Sequence, residues 1–233
     1  STYPDFKLKT ADVEAAITDK TKLLIVNSPS NPTGVTLNQA ELKALADMSA
    51  KHGILVISDE IYEQFYYDDT PASMAGMCDN LIVLNGFSKM AAMTGWRVGF
   101  AAGPADIIQE MNTLQQYTFV CAPSFAQKAA VTALRTDPAD KIAAYKRKRD
   151  LIYDGLSRAF NVTKPGGAFY IFPEAPGRDG DAFVAKAIEN NILVIPGSVF
   201  SEQTTHFRLS FAADDATIEK GVEALNKLAG EMA

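Results

Sequence analysis

The sequence predicts an α/β fold, on the evidence of two patterns in its first half. Short apolar runs alternate with stretches of helical periodicity, which is the order of parallel strands joined by helices. The runs also lack the regular polar alternation of a half-exposed strand, which favours a sheet covered by helices on both faces. We therefore expect part of a doubly wound, mostly parallel sheet.

Four apolar runs are predicted to form the strands of this sheet: residues 23–26, 54–57, 81–84 and 98–102. A helix is predicted between the first two strands, because Asn38 and Glu41 form an Asn-x-x-Glu variant of the capping box. Leu42, Leu45 and Met48 recur at helical spacing after that box. Gly53 stands where such a helix would end.

The second half of the chain predicts a different arrangement. Residues 106–160 have mostly helical patterns, and the Pro-Gly-Gly at 165–167 marks a change. Strands are predicted at 168–172, 192–195 and 206–211, with flanking helices at 181–189 and 214–228. This pattern indicates a smaller C-terminal α+β domain. We place the two domains at residues 1–148 and 149–233.

Composition excludes several classes of function. The net charge of −6, from 22 basic and 28 acidic residues, argues against a nucleic-acid-binding protein. No apolar run approaches the roughly 20 residues of a membrane span, and the first residues contain no signal-peptide core. Two cysteines and two histidines make a disulfide framework or a metal site improbable, and a reducing cytoplasmic setting is expected.

Polar clusters follow three of the predicted strands directly, at residues 27–34, 58–62 and 85–89. Ligands of doubly wound sheets bind beyond the carboxyl ends of the strands, so these clusters indicate a binding site. The common phosphate-loop, dinucleotide-binding and nucleophile-elbow motifs are absent from the sequence. The clusters therefore require a different interpretation.

Six short motifs carry the candidate functional residues, in this order along the chain: Asn31-Pro32-Thr33-Gly34, Asp59-Glu60-Ile61-Tyr62, Phe87-Ser88-Lys89, Ala92-Met93-Thr94-Gly95-Trp96-Arg97, Pro196-Gly197-Ser198-x-Phe200 and Arg208-Leu209-Ser210. In content, order and separation they resemble the class I and II aminotransferases, the pyridoxal-phosphate enzymes of the aspartate aminotransferase fold. The resemblance covers essentially the whole chain. It implies that the first domain is the carboxyl part of that family's large cofactor-binding domain.

The resemblance implies a catalytic role for Lys89, Asp59 and Tyr62. The Lys89 amine would form a Schiff base with the cofactor aldehyde and afterwards carry a proton. The Asp59 carboxylate would pair with the pyridinium nitrogen. Tyr62 and Asn31 would donate hydrogen bonds to the cofactor's phenolic oxygen. Without the motif, Asp59 would be interpreted as the N-cap of a following helix. If that segment is helical, the Tyr62 side chain, three residues on, points the same way as that of Asp59.

The remaining residues are implied to bind anions. Arg97 and Ser88 would hold the cofactor phosphate, and Arg208, together with Asn31, would bind the substrate α-carboxylate. Gly86 departs from the commonest family pattern, in which a hydroxyl three residues before the lysine also contacts the phosphate. His206 is interpreted as a residue on the surface of a strand.

The implied activity is amino-group transfer between an amino acid and a 2-oxo acid. A carbon–sulfur β-lyase of the same fold, and the aminotransferase-like sensor domain of a transcription regulator, remain open as alternatives. Nothing in this chain matches the family's N-terminal elements, so we expect an N-terminally truncated fragment of the family's chain. The complete protein is expected to be a homodimer that binds neither nucleic acid nor membrane.

Overall fold

The computed structural model describes residues 4–232, which pack as two compact units. Unit 1 comprises residues 7–29 and 37–138, and unit 2 comprises residues 4–6, 30–36 and 139–232. The predicted boundary after residue 148 falls inside a helix of unit 2, and the division into family domains stays a prediction. Over residues 4–232, every helix is too short or too polar to span a membrane.

Unit 1 is built on a four-stranded sheet in the order β1-β2-β3-β4. Its elements are β1 (Leu23–Asn27), β2 (Leu55–Asp59), β3 (Leu81–Gly86) and β4 (Gly99–Ala102), with helices α1 (Thr10–Ala15), α2 (Gln39–Lys51), α3 (Ala105–Gln116) and α4 (Ser124–Ala133). Strands β1, β2 and β3 run parallel, and β4 pairs antiparallel with β3. The four predicted strands and the mostly parallel sheet are confirmed.

Helix α2 begins and ends as its sequence predicts. The Asn38 side chain accepts a hydrogen bond from the backbone N–H of Glu41, and the Glu41 carboxylate accepts one from the backbone N–H of Asn38. Gly53 follows the helix in the left-handed conformation, at φ +64°. The buried face of α2 packs on one side of the sheet, where its apolar residues form a core with Val26 and Val56.

The two faces of this sheet are covered unequally by the described residues. Along β1, Val26 is buried, whereas its neighbour Ile25 is 62% exposed and Leu23 is 42% exposed. On β4, Phe100 is 50% exposed. Successive side chains of a strand point to opposite faces, so α2 buries one set and the other set stays open to solvent.

Unit 2 contains a smaller antiparallel sheet in the order β5-β7-β6. Its elements are β5 (Tyr170–Ile171), β6 (Ile195–Pro196) and β7 (Phe207–Ser210), with helices α5 (Ala139–Leu156), α6 (Gly180–Glu189) and α7 (Asp215–Met232). The three predicted strand regions exist, but the first two strands are shorter than expected. Long helices α5 and α7 pack against each other beside this sheet.

The shortened strands have local causes. The predicted strand at 192–195 is wrong for its first residues, because Asn191 is left-handed and the Ile192 N–H donates to the Ala187 carbonyl, which completes the end of α6. Ala168 is also left-handed, at φ +55°, so β5 cannot begin there. The interpretation of His206 as a surface residue is wrong as well, since it is 4% exposed.

Candidate active site

The chain turns sharply after β2, and this turn carries Asp59 and Tyr62. Asp59 is the last residue of β2, level with Asn27 on β1 and Leu84 on β3. One oxygen of its carboxylate accepts a hydrogen bond from the Ile61 N–H at 3.2 Å. The helix considered for this segment does not form, because the Asp59 side chain stabilises a tight turn instead of capping a helix.

Lys89 and Tyr62 meet beyond the carboxyl ends of β2 and β3. Lys89 lies in the turn that follows β3, and its Nζ is 5.8 Å from the centre of the Tyr62 ring. Tyr62 is 3% exposed and packs edge-on against Phe65. An ammonium group over an aromatic ring is attracted to the negative face of that ring. The strand order thus brings an amine and a phenol, 27 residues apart in sequence, to one edge of the sheet.

The Glu60 carboxylate holds the turn in place. It is 3% exposed and accepts hydrogen bonds from Ser58 Oγ at 2.8 Å, Ser73 Oγ at 2.7 Å and the Met74 N–H at 2.9 Å. A buried carboxylate needs such partners, because an unpaired charge in the interior is strongly unfavourable. The segment between Asp59 and Tyr62 is therefore tied to residues 73–74 by a charge-assisted network.

Two titratable side chains beside this turn have shifted pKa values. Burial raises the pKa of Glu63, against an opposing hydrogen bond from Asn85, and the nearby Glu60 charge raises it further. Burial also raises the pKa of Tyr66, against a hydrogen bond with Ser28. Both shifts have the same physical cause, since burial disfavours the charged form of each group.

The loop that carries Lys89 is anchored at both ends. Phe87, Met93 and Val98 are buried against Ala126 and Ala130 of α4. The Phe87 N–H donates to the Val98 carbonyl at 3.3 Å, and the Met93 N–H donates to the Phe87 carbonyl at 3.2 Å. These contacts restrict the backbone on either side of Lys89, so they limit the positions that its amine can occupy.

Ser88 and Arg97 line one cavity of unit 1, with a volume of about 380 Å³. Arg97 donates from Nη1 to the Thr94 carbonyl at 2.9 Å, and Thr94 Oγ1 donates to the Ser88 carbonyl at 3.1 Å. Arg97 is itself left-handed, at φ +52°, a strained conformation for a residue with a side chain. A guanidinium and a hydroxyl in one cavity provide donors suited to an anion.

Gly86 has a packing reason for its departure from the common family pattern. It lies opposite Gly99 where β3 pairs with β4. A Cβ atom on Gly86 would lie 3.1 Å from the Gly99 Cα and 3.2 Å from the Val98 carbonyl oxygen. A serine at this position would require these neighbours to shift by a few tenths of an ångström, and glycine avoids that shift.

Unit 2 brings Asn31 and Arg208 together. Arg208 lies on the central strand β7, and its Nη1 donates to Asn31 Oδ1 at 2.8 Å. Within residues 4–232, its buried Nε has no hydrogen-bond partner. Burial without a partner is costly for a polar atom.

The loop that carries Asn31 is packed closely on its neighbours in unit 2. Gly34 is left-handed, at φ +71°, and its carbonyl accepts a hydrogen bond from the Gly167 N–H at 2.9 Å. Arg149 is 1% exposed and donates from Nη1 to the Pro165 carbonyl at 2.9 Å. Arg149 thus fixes residues 165–167, which in turn support the loop that presents Asn31.

The chain is similar to known proteins over most of its length. The model of the aminotransferase class I and II family matches residues 1–225. The chain belongs to the class I and II aminotransferase family. It is 40% identical to the probable aspartate aminotransferase of Methanocaldococcus jannaschii over 96% of this chain and 63% of that protein. It is 39% identical to the aspartate aminotransferase of Pyrococcus abyssi over 97% of this chain and 62% of that protein.

The fold agrees with that of solved aminotransferases. The structure of the aromatic aminotransferase from Pyrococcus horikoshii OT3 superposes with a TM-score of 0.93 at 37% identity, over 97% of this chain and 65% of that one. The chain therefore spans less than two thirds of the length of these relatives.

Three residues to which the sequence assigned no role lie beside the expected ones in this aminotransferase chain. Glu60 was part of a motif without a role, although a carboxylate directly after an apolar strand already signals buried partners. Tyr170 and Phe200 lie with their ring centres 4.6 Å and 4.8 Å from the Arg208 guanidinium carbon. Phe200 belongs to one of the six motifs, which gave it no role, and the contacts of both rings with Arg208 are visible only in the tertiary structure.

Proposed function

We propose that this chain forms part of a pyridoxal-phosphate-dependent aminotransferase that transfers an amino group between an amino acid and a 2-oxo acid. The observation that carries the proposal is the Lys89 amine over the Tyr62 ring, beside Asp59 at the carboxyl ends of β2 and β3. This edge is where ligands bind in sheets of this kind. Membership of the aminotransferase family supports the same assignment.

The donor set fits pyridoxal phosphate. That cofactor presents a phosphate, an aldehyde, a phenolic oxygen and a ring nitrogen. The cavity with Ser88 and Arg97 offers a hydroxyl and a guanidinium for the phosphate, and Lys89 offers the amine for the aldehyde. When bound, the cofactor supplies an electron-withdrawing pyridinium ring that accepts the electron pair released at the amino-acid Cα.

We assign the chemical steps of this chain to two residues of unit 1. Lys89 would hold the cofactor through its Nζ and, once freed by the substrate amine, would move a proton between the substrate Cα and the cofactor's C4′ carbon. The Asp59 carboxylate would accept a hydrogen bond from the protonated ring nitrogen and would keep that proton in place. Because Asp59 already accepts from Ile61 through one oxygen, its other oxygen is assigned to this contact.

We assign binding and orientation to four further residues. Tyr62 would donate its phenol proton toward the cofactor's phenolic oxygen, and Asn31 would offer its side-chain amide as a hydrogen-bond donor to the cofactor. Ser88 and Arg97 hold the phosphate. Each of these groups is a hydrogen-bond donor, so together they favour the anionic forms of the atoms they contact.

Arg208 is assigned to the substrate carboxylate. Its guanidinium matches a planar carboxylate, which it can bind with two parallel N–H donors. Asn31 orients the opposite side of that guanidinium through the 2.8 Å hydrogen bond. The relatives include proteins named aspartate and aromatic-amino-acid aminotransferases, which supports an amino acid as substrate.

Two further properties belong to this proposal. We propose a homodimer for the whole protein that contains this chain, which the resemblance to the family supports. We also propose a cytoplasmic location, which the two free cysteines, Cys78 and Cys121, support.

The test is Lys89→Ala in the whole protein that contains this chain. We expect transfer of ¹⁵N from a labelled amino acid to 2-oxoglutarate to fall by about a thousandfold or more, because no other group replaces the reacting amine. Lys128→Ala is the matched control, since Lys128 is an exposed lysine on α4. Product analysis by mass spectrometry measures the transfer.

Two results would contradict the proposal. Undiminished ¹⁵N transfer in Lys89→Ala would exclude Lys89 as the reacting amine. Release of pyruvate and ammonia from one amino acid, without any 2-oxo acid present, would identify a β-lyase instead.

A further inference from the structure

Glu60 is a buried carboxylate to which the proposed chemistry gives no role. It lies in sequence between Asp59 and Tyr62, which both belong to the proposed cofactor site, and it is 3% exposed. Its backbone N–H donates to the Leu84 carbonyl of β3 at 2.9 Å, and its carboxylate accepts hydrogen bonds from three neighbours. Glu60 is therefore fixed to its surroundings through both its backbone and its side chain.

All three of these neighbours act as hydrogen-bond donors. Oε1 of Glu60 accepts from Ser58 Oγ at 2.8 Å and from the Met74 N–H at 2.9 Å, and Oε2 accepts from Ser73 Oγ at 2.7 Å. Ser73 Oγ itself accepts from the Ala75 N–H at 3.0 Å, which leaves its single proton for Glu60. Three donors on two oxygens fit an ionised carboxylate, which accepts and does not donate. The network therefore depends on the charge of Glu60 as well as on its shape.

We infer that Glu60 is a positioning residue for the proposed reaction, because its buried carboxylate holds the turn that carries Asp59 and Tyr62 in the orientation that their contacts with pyridoxal phosphate require. The inference rests on the proposed function, and it adds a residue that acts through Tyr62 rather than on the cofactor. The Phe65 N–H donates to the Tyr62 carbonyl at 2.8 Å, and the two rings pack edge-on. A displacement at Glu60 therefore moves the Tyr62 ring, and hydrogen bonds weaken steeply when their angle changes.

Glu41 provides a matched control within the same unit. Its carboxylate also accepts hydrogen bonds, from the Asn38 N–H at 2.8 Å and from Lys7 Nζ at 2.7 Å, but it lies at the start of α2 and not in the turn. Glu41→Gln and Glu60→Gln remove the same charge and keep nearly the same shape. A loss of stability alone would affect both variants, whereas a loss of positioning would affect only Glu60→Gln.

The first measurement is hydrogen–deuterium exchange of the whole protein that contains this chain, after removal of pyridoxal phosphate. We expect the amide hydrogens of residues 58–65 to exchange about tenfold faster in Glu60→Gln and in Ser73→Ala, because each change removes a charge-assisted hydrogen bond from the turn. Glu41→Gln is expected to leave this segment unchanged and to speed exchange at the start of α2. Mass spectrometry of the peptides measures both segments.

The second measurement follows the visible absorbance of bound pyridoxal phosphate as a function of pH. A donor to the cofactor's phenolic oxygen favours the deprotonated form, so Tyr62→Phe should raise the pH midpoint of the absorbance change. Glu60→Gln and Ser73→Ala should raise it in the same direction, by about 0.5–1 pH unit, because the Tyr62 phenol is less well placed. Loss of the Glu60 charge by itself would lower the midpoint, since a nearby anion favours the protonated form. The sign therefore separates positioning from a direct effect of charge.

Two results would overturn the inference about Glu60 alone. One is unchanged exchange of residues 58–65 in both Glu60→Gln and Ser73→Ala. The other is an absorbance midpoint that Tyr62→Phe raises and that these two variants leave in place or lower. A midpoint that Tyr62→Phe itself leaves in place would instead contradict the contact assigned to Tyr62 in the proposed function, and the inference would fall with it. If Glu60→Gln does not fold, Ser73→Ala still decides the question, because it removes one hydrogen bond without changing a charge.

Discussion

His206 illustrates at the residue scale how the interior changes a side chain's chemistry. It lies parallel to the Phe172 ring at a centroid distance of 5.2 Å and edge-on to Phe6 at the same distance. Burial lowers its pKa below the ordinary value of 6.5, and the Arg178 charge lowers it further, while the Glu174 charge acts in the opposite direction. Folding therefore favours the neutral imidazole.

This burial makes stability depend on pH. Because the unfolded chain binds a proton on His206 near pH 6.5 and the folded chain resists it, the free energy of unfolding should fall as pH drops below about 6.5. We expect His206→Gln to lose less stability between pH 7.5 and pH 5.5 than the unmodified chain, by up to about 1.4 kcal/mol per pH unit. Urea unfolding at both pH values measures the difference.

The control for this experiment is Phe172→Leu. It disturbs the same aromatic cluster without changing a titratable group, so it should keep the pH dependence of the unmodified chain. An identical loss of stability in His206→Gln and in the unmodified chain would show that the folded state does not exclude the proton.

At the scale of structural elements, two glycines separate backbone strain from steric overlap. Gly53 ends α2 at φ +64°, and a Cβ atom there would meet nothing within 4 Å. Gly34 has a similar φ of +71°, but a Cβ there would lie 2.6 Å from both the Pro165 Cβ and the Tyr170 carbonyl oxygen. Both positions require the left-handed conformation, and only Gly34 also requires the absence of a side chain.

Alanine substitutions should therefore differ in cost. We expect Gly53→Ala to lower the free energy of unfolding by about 1–2 kcal/mol, which is the strain of a left-handed residue with a Cβ. Gly34→Ala adds forced overlap, for a total of roughly 3 kcal/mol or more. Urea denaturation measures both variants, and equal losses would mean that the loop relaxes around the added methyl group.

At the scale of the whole molecule, the exposed apolar surface of unit 1 is expected to determine how copies of this chain associate. Large apolar residues between positions 114 and 134 are 64–84% exposed: Leu114, Tyr117, Phe119, Val120, Phe125 and Leu134. Exposed apolar surface of this extent is unusual in a monomer and favours association. The surface lies in α3, α4 and the segment that joins them.

We expect the 233-residue chain to self-associate as its concentration rises. Leu114→Lys combined with Phe119→Lys should shift the distribution toward the monomer, because two charges would have to be buried at the contact. Leu193→Lys is the control, since Leu193 is 88% exposed in unit 2. Sedimentation velocity under reducing conditions measures the effect, and monomers at all concentrations would contradict the expectation.

Much of the fold and part of the site could be predicted from the sequence. The strands of unit 1 are apolar runs bounded by turn residues, and the start of α2 is encoded by Asn38 and Glu41, three residues apart. Such signals act within one turn or one strand, so they are visible locally. The order of the motifs also predicted the family, and the match to the family model confirms that prediction.

Only the tertiary structure determined which residues contact one another. Asn31 and Arg208 form a hydrogen bond although they are 177 residues apart. The Glu60 carboxylate accepts hydrogen bonds from Ser73 and Met74. His206 packs against aromatic rings from other segments of the chain. The pattern of hydrophobic residues determines which side of a strand is buried, but strand pairing and loop packing determine its neighbours. Those contacts join distant positions, and burial then sets the charge and orientation of each side chain.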